Sequence, residues 1–152
     1  MVVITQNIDN LHERAGSKNV LHLHLHGLIS KVKSSSDHSK LYDFDKPLKL
    51  GMMAEDGSQL RPHIVWFGEE VPEFDNALKI TKSVNIVIIV GTSLNVYPAA
   101  GFIFHAPSNI PMYLADPGDI SNQGIPNLIC LKSNATIGIP VLVNQLKNVE
   151  YA

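Results

Sequence analysis

The sequence has few of the residues that several protein classes require. Its single cysteine, Cys130, cannot form an internal disulfide or a cysteine-based zinc site, which fits a reducing compartment such as the cytoplasm. Only 17% of the residues are charged, and 12 basic against 14 acidic side chains leave no basic surface for nucleic acid. The longest apolar run covers residues 86–90, whereas a membrane-spanning helix needs about 20 apolar residues. We therefore expect neither nucleic acid nor a membrane as a partner.

Hydrophobic residues, by contrast, make up 45% of the chain, and the mean hydropathy is +0.07. A free-standing domain of this length removes roughly 68–70% of its unfolded surface from water, so a disordered chain is excluded. The stretch 1–6 is mostly apolar but lacks a basic flank and a cleavage site, and it predicts a buried strand rather than a signal peptide. The 152 residues predict one domain, or part of one.

Short runs rich in valine and isoleucine, bounded by turn residues, recur along the chain. They predict strands at residues 2–5, 20–26, 63–67, 85–90, 111–115 and 128–131. Three segments that open with proline predict helices at residues 72–83, 98–106 and 140–149. Continuously apolar strands that alternate with helices are typical of a doubly wound, Rossmann-like α/β fold, whose mostly parallel sheet is covered on both faces.

Residues 31–59 differ from the rest of the chain in composition. They are polar, and their apolar clusters are weak. We predict a small inserted module or a long loop between two core strands, rather than a linker between domains.

A polar stretch follows the first predicted strand, at the edge where the ligand crevice of an open α/β sheet lies. Its polar members are Thr5, Gln6, Asn7, Asp9 and Asn10. These side chains could hydrogen-bond a polar ligand. Alternatively, Asp9 or Asn10 caps a helix that begins at Leu11, since aspartate and asparagine are preferred N-caps.

Three leucines alternate with three histidines at residues 21–26, just before Gly27. On a strand the histidines face one way, about 6.6 Å apart at ~3.3 Å per residue. A His-x-His pair can ligate zinc, although no carboxylate or cysteine is nearby in sequence to complete the site. A histidine could instead be a general base, for which His26 is the best candidate because Gly27 lets the backbone or a ligand approach closely. For His22 and His24 we prefer a third interpretation, that of hydrogen-bonded polar residues on one strand face.

The segment 61–69 places the only tryptophan of the chain at a predicted strand end next to a glycine. Trp66 and Phe67 could line an apolar channel for a ligand. Composition allows equally that both are core residues.

Two further strand ends carry candidate ligand residues. Gly91, Thr92 and Ser93 lie between a predicted strand and a helix, where amides and hydroxyls suit phosphate or ribose oxygens, although the Gly-x-Gly-x-x-Gly fingerprint is absent. Asp116, after the strand at 111–115, either meets a ribose hydroxyl or forms a turn with the residues that follow it.

Taken together, four segments closely resemble the sirtuins, the NAD-dependent protein lysine deacylases. They lie at residues 5–12, 25–27, 61–69 and 91–100, in the family's order, and span nearly the whole chain. They read Thr-Gln-Asn-Ile-Asp-Asn-Leu-His, Leu-His-Gly, Arg-Pro-His-Ile-Val-Trp-Phe-Gly-Glu, and Gly-Thr-Ser leading to Val-Tyr-Pro-Ala-Ala. The Trp-Phe-Gly-Glu stretch and the lack of zinc-binding cysteines are most similar to bacterial sirtuins that have lost the metal.

The resemblance implies an NAD-dependent deacylase, or deacetylase, whose substrate is an acyl-lysine protein or peptide. In this family the acylated lysine enters a hydrophobic tunnel, and its carbonyl oxygen attacks the nicotinamide ribose of NAD. Nicotinamide leaves, a histidine acting as general base activates a ribose hydroxyl, and the acyl group ends on ADP-ribose.

By the same resemblance, His26 is the general base. The cofactor-binding residues are Gln6 at the ribose, Asn7 and Asp9 in the nicotinamide pocket, Gly91, Thr92 and Ser93 at the adenine-side ribose and phosphate, and Asp116 at the next strand end. The substrate-binding residues are Val65, Phe67, Gly68 and Glu69, which form the edge on which the peptide lies as an added strand.

Three departures from the family pattern modify these expectations. The chain has no Gly-Ala-Gly-x-Ser loop for the pyrophosphate, so we expect residues 1–152 to be a partial sirtuin-type catalytic domain that lacks the first β-α unit. Residues 31–59 lack the family's paired cysteines, so no zinc is expected in the inserted module. The His-Leu repeat is two residues longer than the family's strand, which leaves His24 and His26 as alternative bases.

Two other functions stay open at the level of the sequence. The missing phosphate loop motivates the first, a catalytically inactive NAD- or peptide-binding remnant. The second is a His-x-His metallohydrolase, which requires stoichiometric zinc in the purified protein.

Overall fold

The chain forms two units, Met1–Asp75 and Asn76–Ala152. The structure, a computed structural model, describes residues 1–17, 20–92, 94, 97, 99–118 and 124–148. Each unit contains parallel strands, and the first also contains an antiparallel sheet.

A parallel pair of strands opens the first unit. β1 (Val2–Thr5) pairs with β2 (Leu21–His24), and Thr5 is the register partner of His24. A short helix, α1 (Leu11–Arg14), lies in the connection, as a parallel pair requires a crossover. The predicted strand at 20–26 is too long at its end, because the chain turns at Leu25 and His26 and then enters another strand.

Three antiparallel strands complete the first unit. β3 (Gly27–Ser34) lies between β4 (Leu41–Asp43) and β5 (Leu60–Ile64). The strand predicted at 63–67 is wrong in bounds and in direction, because β5 ends at Ile64 and runs antiparallel to β3. A short apolar run does not specify the direction of its partner, which explains the error. Pro62 is accommodated because β5 is an edge strand of this sheet.

The segment 31–59 contributes the end of β3, all of β4 and an isolated bridge between Met53 and Gln59. Its polar residues are used in local hydrogen bonds. Ser34 is 2% exposed and donates to Asp56 at 2.6 Å. The interpretation of the segment as an inserted module stays a prediction.

A parallel sheet forms the centre of the second unit. Its strands are β6 (Val87–Val90), β7 (Met112–Ala115) and β8 (Leu128–Leu131), with β7 in the middle. The helix α2 (Phe74–Thr81) precedes β6, and α3 (Ala99–Phe102), continued by a 3₁₀ turn, connects β6 to β7. The buried core cluster consists of Ile103, Ile110, Met112, Leu114, Ile125 and Leu128.

The last helix, α4 (Ala135–Asn148), corrects the sequence prediction of a helix that opens at Pro140. It begins five residues earlier, where the carbonyl of Asn134 accepts the N–H groups of Ile137 and Gly138 at 3.0 and 2.9 Å. Proline favours the first turn of a helix, but here Pro140 lies in the interior, where the helix gives up one backbone hydrogen bond. No helix in the described ranges is long and apolar enough to cross a membrane.

Candidate active site

The polar residues after β1 form a hydrogen-bonded loop. Thr5 Oγ1 accepts the N–H of Asn7 at 3.1 Å, and Asp9 Oδ1 accepts the N–H of Leu11 at 3.1 Å. Asn10 occupies the N-cap position of α1 without a side-chain cap bond, and Asp9, one residue earlier, accepts the first N–H of the helix. This bond uses one carboxylate oxygen of Asp9 and restrains its side chain.

Gln6 lies in the same loop and has a buried donor. Its Nε2 atom is buried and has no hydrogen-bond partner among the residues that the structure describes. A buried donor left unsatisfied costs about 1–3 kcal/mol. An oxygen-rich ligand at this strand end would satisfy it, and Asn7, next in the chain, is exposed.

The histidines of β2 share one strand face, as the alternation predicts. Glu13 Oε1 lies 2.8 Å from Nε2 of His24 and 3.8 Å from Nδ1 of His22. The other ring nitrogen of His24, Nδ1, lies 3.4 Å from the carbonyl oxygen of Asn7. Both ring nitrogens of His24 thus face acceptors, which agrees with the interpretation of this histidine as a hydrogen-bonded residue of the strand face.

Sequence reasoning missed Glu13. The hydrogen bond from His24 lowers the pKa of its carboxyl below the usual value. Its partner is eleven residues away in the chain, on another element, so no helical or strand spacing pointed to the pair. The tertiary structure alone brings α1 and β2 together.

A stack of His12 on His22, with ring centroids 6.0 Å apart, extends this group of histidines. Even so, the described part of the chain contains no group of three or more His, Cys, Asp or Glu side chains that could hold a metal ion.

His26 lies in the turn between β2 and β3. Its carbonyl oxygen accepts the N–H of Val65 at 3.0 Å, which ties the turn to the segment that follows β5. Its half-buried ring makes no hydrogen bond to any residue that the structure describes. In this it differs from His24, whose ring faces acceptors at both nitrogens.

Gly27 sets the backbone course next to His26. Its φ is +80°, and a Cβ at this position would overlap the carbonyl oxygen of His63. Only glycine tolerates both the left-handed conformation and this approach. The close approach expected at Gly27 is thus made by the backbone of β5.

A tight turn follows β5 at residues 66–69. The N–H of Glu69 donates to the carbonyl of Trp66 at 3.0 Å, and Gly68 has a φ of +87°, as the third residue of a type II turn requires. The turn leaves Trp66 55% exposed and Phe67 fully exposed. The alternative in which both aromatic residues belong to the core is therefore wrong.

An ion pair closes this turn. Arg61 donates to both carboxylate oxygens of Glu69, at 2.6 and 3.1 Å, and the N–H of Trp66 donates to Glu69 Oε2 at 3.0 Å. These hydrogen bonds lower the pKa of Glu69 to about 2, and the bond from Arg61 has the largest effect. The Arg61 guanidinium also lies 5.9 Å from the centroid of the Trp66 ring.

His63, on β5, lies in positively charged surroundings. Desolvation by burial, followed by the charges of Lys33 and Lys31, lowers the pKa of His63. Its Nδ1 atom is buried and has no partner within the described ranges. Burial and the neighbouring lysines thus both disfavour the protonated form of this imidazole.

The remaining cofactor candidates belong to the second unit. Gly91, with a φ of +64°, follows β6, and its N–H donates to the carbonyl of Ala115 at 3.1 Å. Thr92 Oγ1 accepts the N–H of Leu94 at 3.2 Å, and Asp116 Oδ1 accepts the N–H of Gly118 at 2.8 Å. Asp116 therefore has the turn role that the sequence allowed. Ser93 and Pro98, the predicted first residue of a helix, lie outside the described residues.

Known proteins are similar to this chain in sequence and in fold. The sequence pattern of the Sir2 family matches residues 1–98. A Helicobacter pylori protein named NAD-dependent protein deacylase is 46% identical over 145 residues, which cover 95% of this chain and 61% of that protein. A Sir2 homologue in complex with NAD is similar with a TM-score of 0.83 and 30% identity, over 97% of this chain and 58% of that one.

A further solved structure is Sir2 in complex with the inhibitor EX-527, 2′-O-acetyl-ADP-ribose and a deacetylated p53 peptide. It has a TM-score of 0.79 and 29% identity, over 97% of this chain and 65% of that one. These likenesses confirm the predicted Rossmann-like α/β class. The chain belongs to the Sir2 family.

Proposed function

We propose that the protein is an NAD-dependent protein lysine deacylase, which releases nicotinamide and transfers the acyl group to ADP-ribose. The observation that carries this proposal is the contrast between two neighbouring histidines. The ring of His24 is engaged by Glu13, whereas the ring of His26 makes no hydrogen bond to the described residues. His26 is thus the residue suited to general-base chemistry.

One observation supports a fit between the candidate residues and NAD. The Nε2 donor of Gln6 is buried and has no partner among the described residues. In the proposal, Gln6 binds the nicotinamide-side ribose, and Asn7 and Asp9 line the nicotinamide pocket. Gly91, Thr92 and Ser93 bind the adenine-side ribose and phosphate, with Asp116 as a weaker candidate because its carboxylate already serves a turn. When bound, NAD supplies an electrophilic ribose carbon and the hydroxyl groups that accept the acyl chain.

The contribution of His26 is to remove and hold a proton. A neutral imidazole accepts a proton at a free ring nitrogen. A positioned general base contributes about 10²–10⁴-fold to a rate. The bond from Val65 to the His26 carbonyl keeps this base next to the segment that receives the substrate.

The peptide edge consists of Val65, Phe67, Gly68 and Glu69. The exposed Phe67 offers apolar surface to the aliphatic part of an acyl-lysine, where it excludes competing water. The N–H of Val65 is already used by His26, and that of Glu69 by Trp66. Peptide pairing in this segment therefore relies on the main-chain groups that these bonds leave over.

The proposal also covers organisation and location. Residues 31–59 form an inserted module without a zinc site, within a sirtuin-type domain. The protein acts in the cytoplasm, in keeping with Cys130, which is an exposed free thiol.

The test is an assay for nicotinamide with NAD and an acetyl-lysine peptide. We expect release only when both are present, together with loss of the acetyl group from the peptide. The same peptide with unmodified lysine is the control and should release nothing. Absence of release with acetyl, succinyl and longer acyl peptides, or release independent of peptide, would contradict the proposal.

A further inference from the structure

Donors from its own chain engage both oxygens of the Glu69 carboxylate. It accepts two hydrogen bonds from Arg61 and one from the backbone of Trp66, at 2.6 to 3.1 Å. Lys33, which is 8% exposed, adds a second positive charge that lowers the pKa of Glu69. Three of the roughly four acceptor positions of this carboxylate are therefore used within the turn.

Two hydrogen bonds connect Trp66 and Glu69. The Trp66 N–H donates to the Glu69 side chain, and the Glu69 N–H donates to the Trp66 carbonyl, each at 3.0 Å. Arg61 reaches both ends of this segment, since its Nη2 atom also lies 3.4 Å from the carbonyl oxygen of Ile64. The backbone from Ile64 to Glu69 is therefore fixed although Phe67, at its tip, is fully exposed.

Fixing a loop before binding reduces the entropy that the ligand must otherwise remove on association. From this geometry we propose that the Arg61–Glu69 pair is a positioning device that holds the turn at residues 66–69 in its peptide-receiving conformation. The Glu69 side chain shapes the peptide edge and does not itself touch the substrate. This inference rests on the proposed deacylase function.

The chain offers a direct probe and a matched control. Trp66 is the only tryptophan, so intrinsic fluorescence reports on the turn without labelling. Glu69→Gln removes the charge at nearly constant shape. Glu55→Gln makes the same change in the exposed Lys40–Glu55 pair, whose atoms are 2.9 Å apart, in segment 31–59. Arg61→Lys keeps the charge but loses the bidentate contact with Glu69. It is the second variant to measure if Glu69→Gln fails to fold.

We expect Glu69→Gln to raise acrylamide quenching of Trp66 and to raise the KM for an acetyl-lysine peptide about tenfold, the scale of a lost charge-assisted hydrogen bond. Arg61→Lys should give a smaller rise. The KM for NAD and kcat should stay at the wild-type values, because the pair touches neither cofactor nor the reacting atoms. Glu55→Gln should leave all of these quantities unchanged.

Two results would overturn the inference. One is a Glu69→Gln variant with unchanged quenching and an unchanged peptide KM. The other is an equal effect on the KM for peptide and the KM for NAD, which a general loss of structure would produce. If the wild type releases no nicotinamide, the proposed function fails separately. In that case the acrylamide quenching of Trp66 in Glu69→Gln decides the inference. Unchanged quenching overturns it, and increased quenching supports the statement that the ion pair holds the turn.

Discussion

Both units of the chain bury aliphatic side chains, but the first buries more polar ones than the second. In the second, the central strand β7 contributes Met112 and Leu114, 3% and 1% exposed, to a core cluster of aliphatic side chains. In the first, Thr5, Lys33 and Ser34 are buried polar residues. The Arg61–Glu69 and Glu13–His24 contacts belong to this unit as well.

The difference shows where chemistry is built into the fold. Buried polar groups must be hydrogen-bonded, so they fix side-chain geometry more strictly than aliphatic packing does. Ser34 illustrates this, since it donates to Asp56 and accepts the N–H groups of Ser36 and Asp37 at 3.0 and 3.1 Å. His26 and the peptide edge lie in the same unit, which also contains buried nitrogens of Gln6 and His63 that have no partner among the described residues.

Removing a core side chain from the second unit should have the largest effect on stability. Leu114→Ala deletes a side chain that is 1% exposed, and we expect a loss of about 2–5 kcal/mol in the free energy of unfolding. Ile129→Ala, on the neighbouring β8 at 49% exposure, is the control and should cost less than about 1 kcal/mol. Urea denaturation measures both, and equal losses would contradict a core centred on β7.

In the first unit, a backbone contact should be the more sensitive point. Gly27→Ala must adopt a φ of +80° and place its Cβ against the His63 carbonyl, whereas Gly16→Ala, at +89°, meets open space. Both variants carry the cost of a left-handed residue, about 1–2 kcal/mol. The overlap should add about 1–3 kcal/mol for Gly27→Ala alone. Equal unfolding free energies of the two variants would show that β3 and β5 are not in close contact there.

Acidification should remove a stabilising ion pair from the first unit, with a smaller effect than the two substitutions above. The pKa of Glu69 is lowered from 4.5 to about 2, so its ion pair stabilises the fold fully above pH 4.5 and loses this contribution as the pH falls through 2. The Tm difference between wild type and Glu69→Gln should be constant from neutral pH to about 5 and should shrink at lower pH. A difference that grows on acidification would mean that the pair does not exist in solution.

Much of the fold could be predicted because strands of a parallel sheet are continuously apolar. β1, β7 and β8 were predicted to within one residue. β5 was not, since it alternates apolar with polar residues and its partner is chosen by tertiary contacts. The start of α4 was missed because the prediction placed Pro140 in the first turn, where proline is favoured. The helix in fact begins at Ala135.

The candidate site was predictable only in part. Motif resemblance pointed to His26 and to the edge at residues 65–69, but it did not separate His26 from His24. That distinction depends on Glu13, which reaches His24 from another element. The ion pair of Glu69 likewise depends on Arg61, eight residues away on β5. Such contacts follow from three-dimensional packing and leave no periodic trace in the sequence.

The most direct test of the account is the comparison of His26→Asn with His24→Asn. Nicotinamide release from NAD and an acetyl-lysine peptide is measured for both variants and for wild type, after circular dichroism has verified that each is folded. Because His26 is the proposed base, His26→Asn should lose about 10²–10⁴-fold in kcat. His24→Asn should stay within about tenfold of wild type, since it loses hydrogen bonds and no base. The opposite order, with activity retained by His26→Asn and lost by His24→Asn, would contradict the assignment.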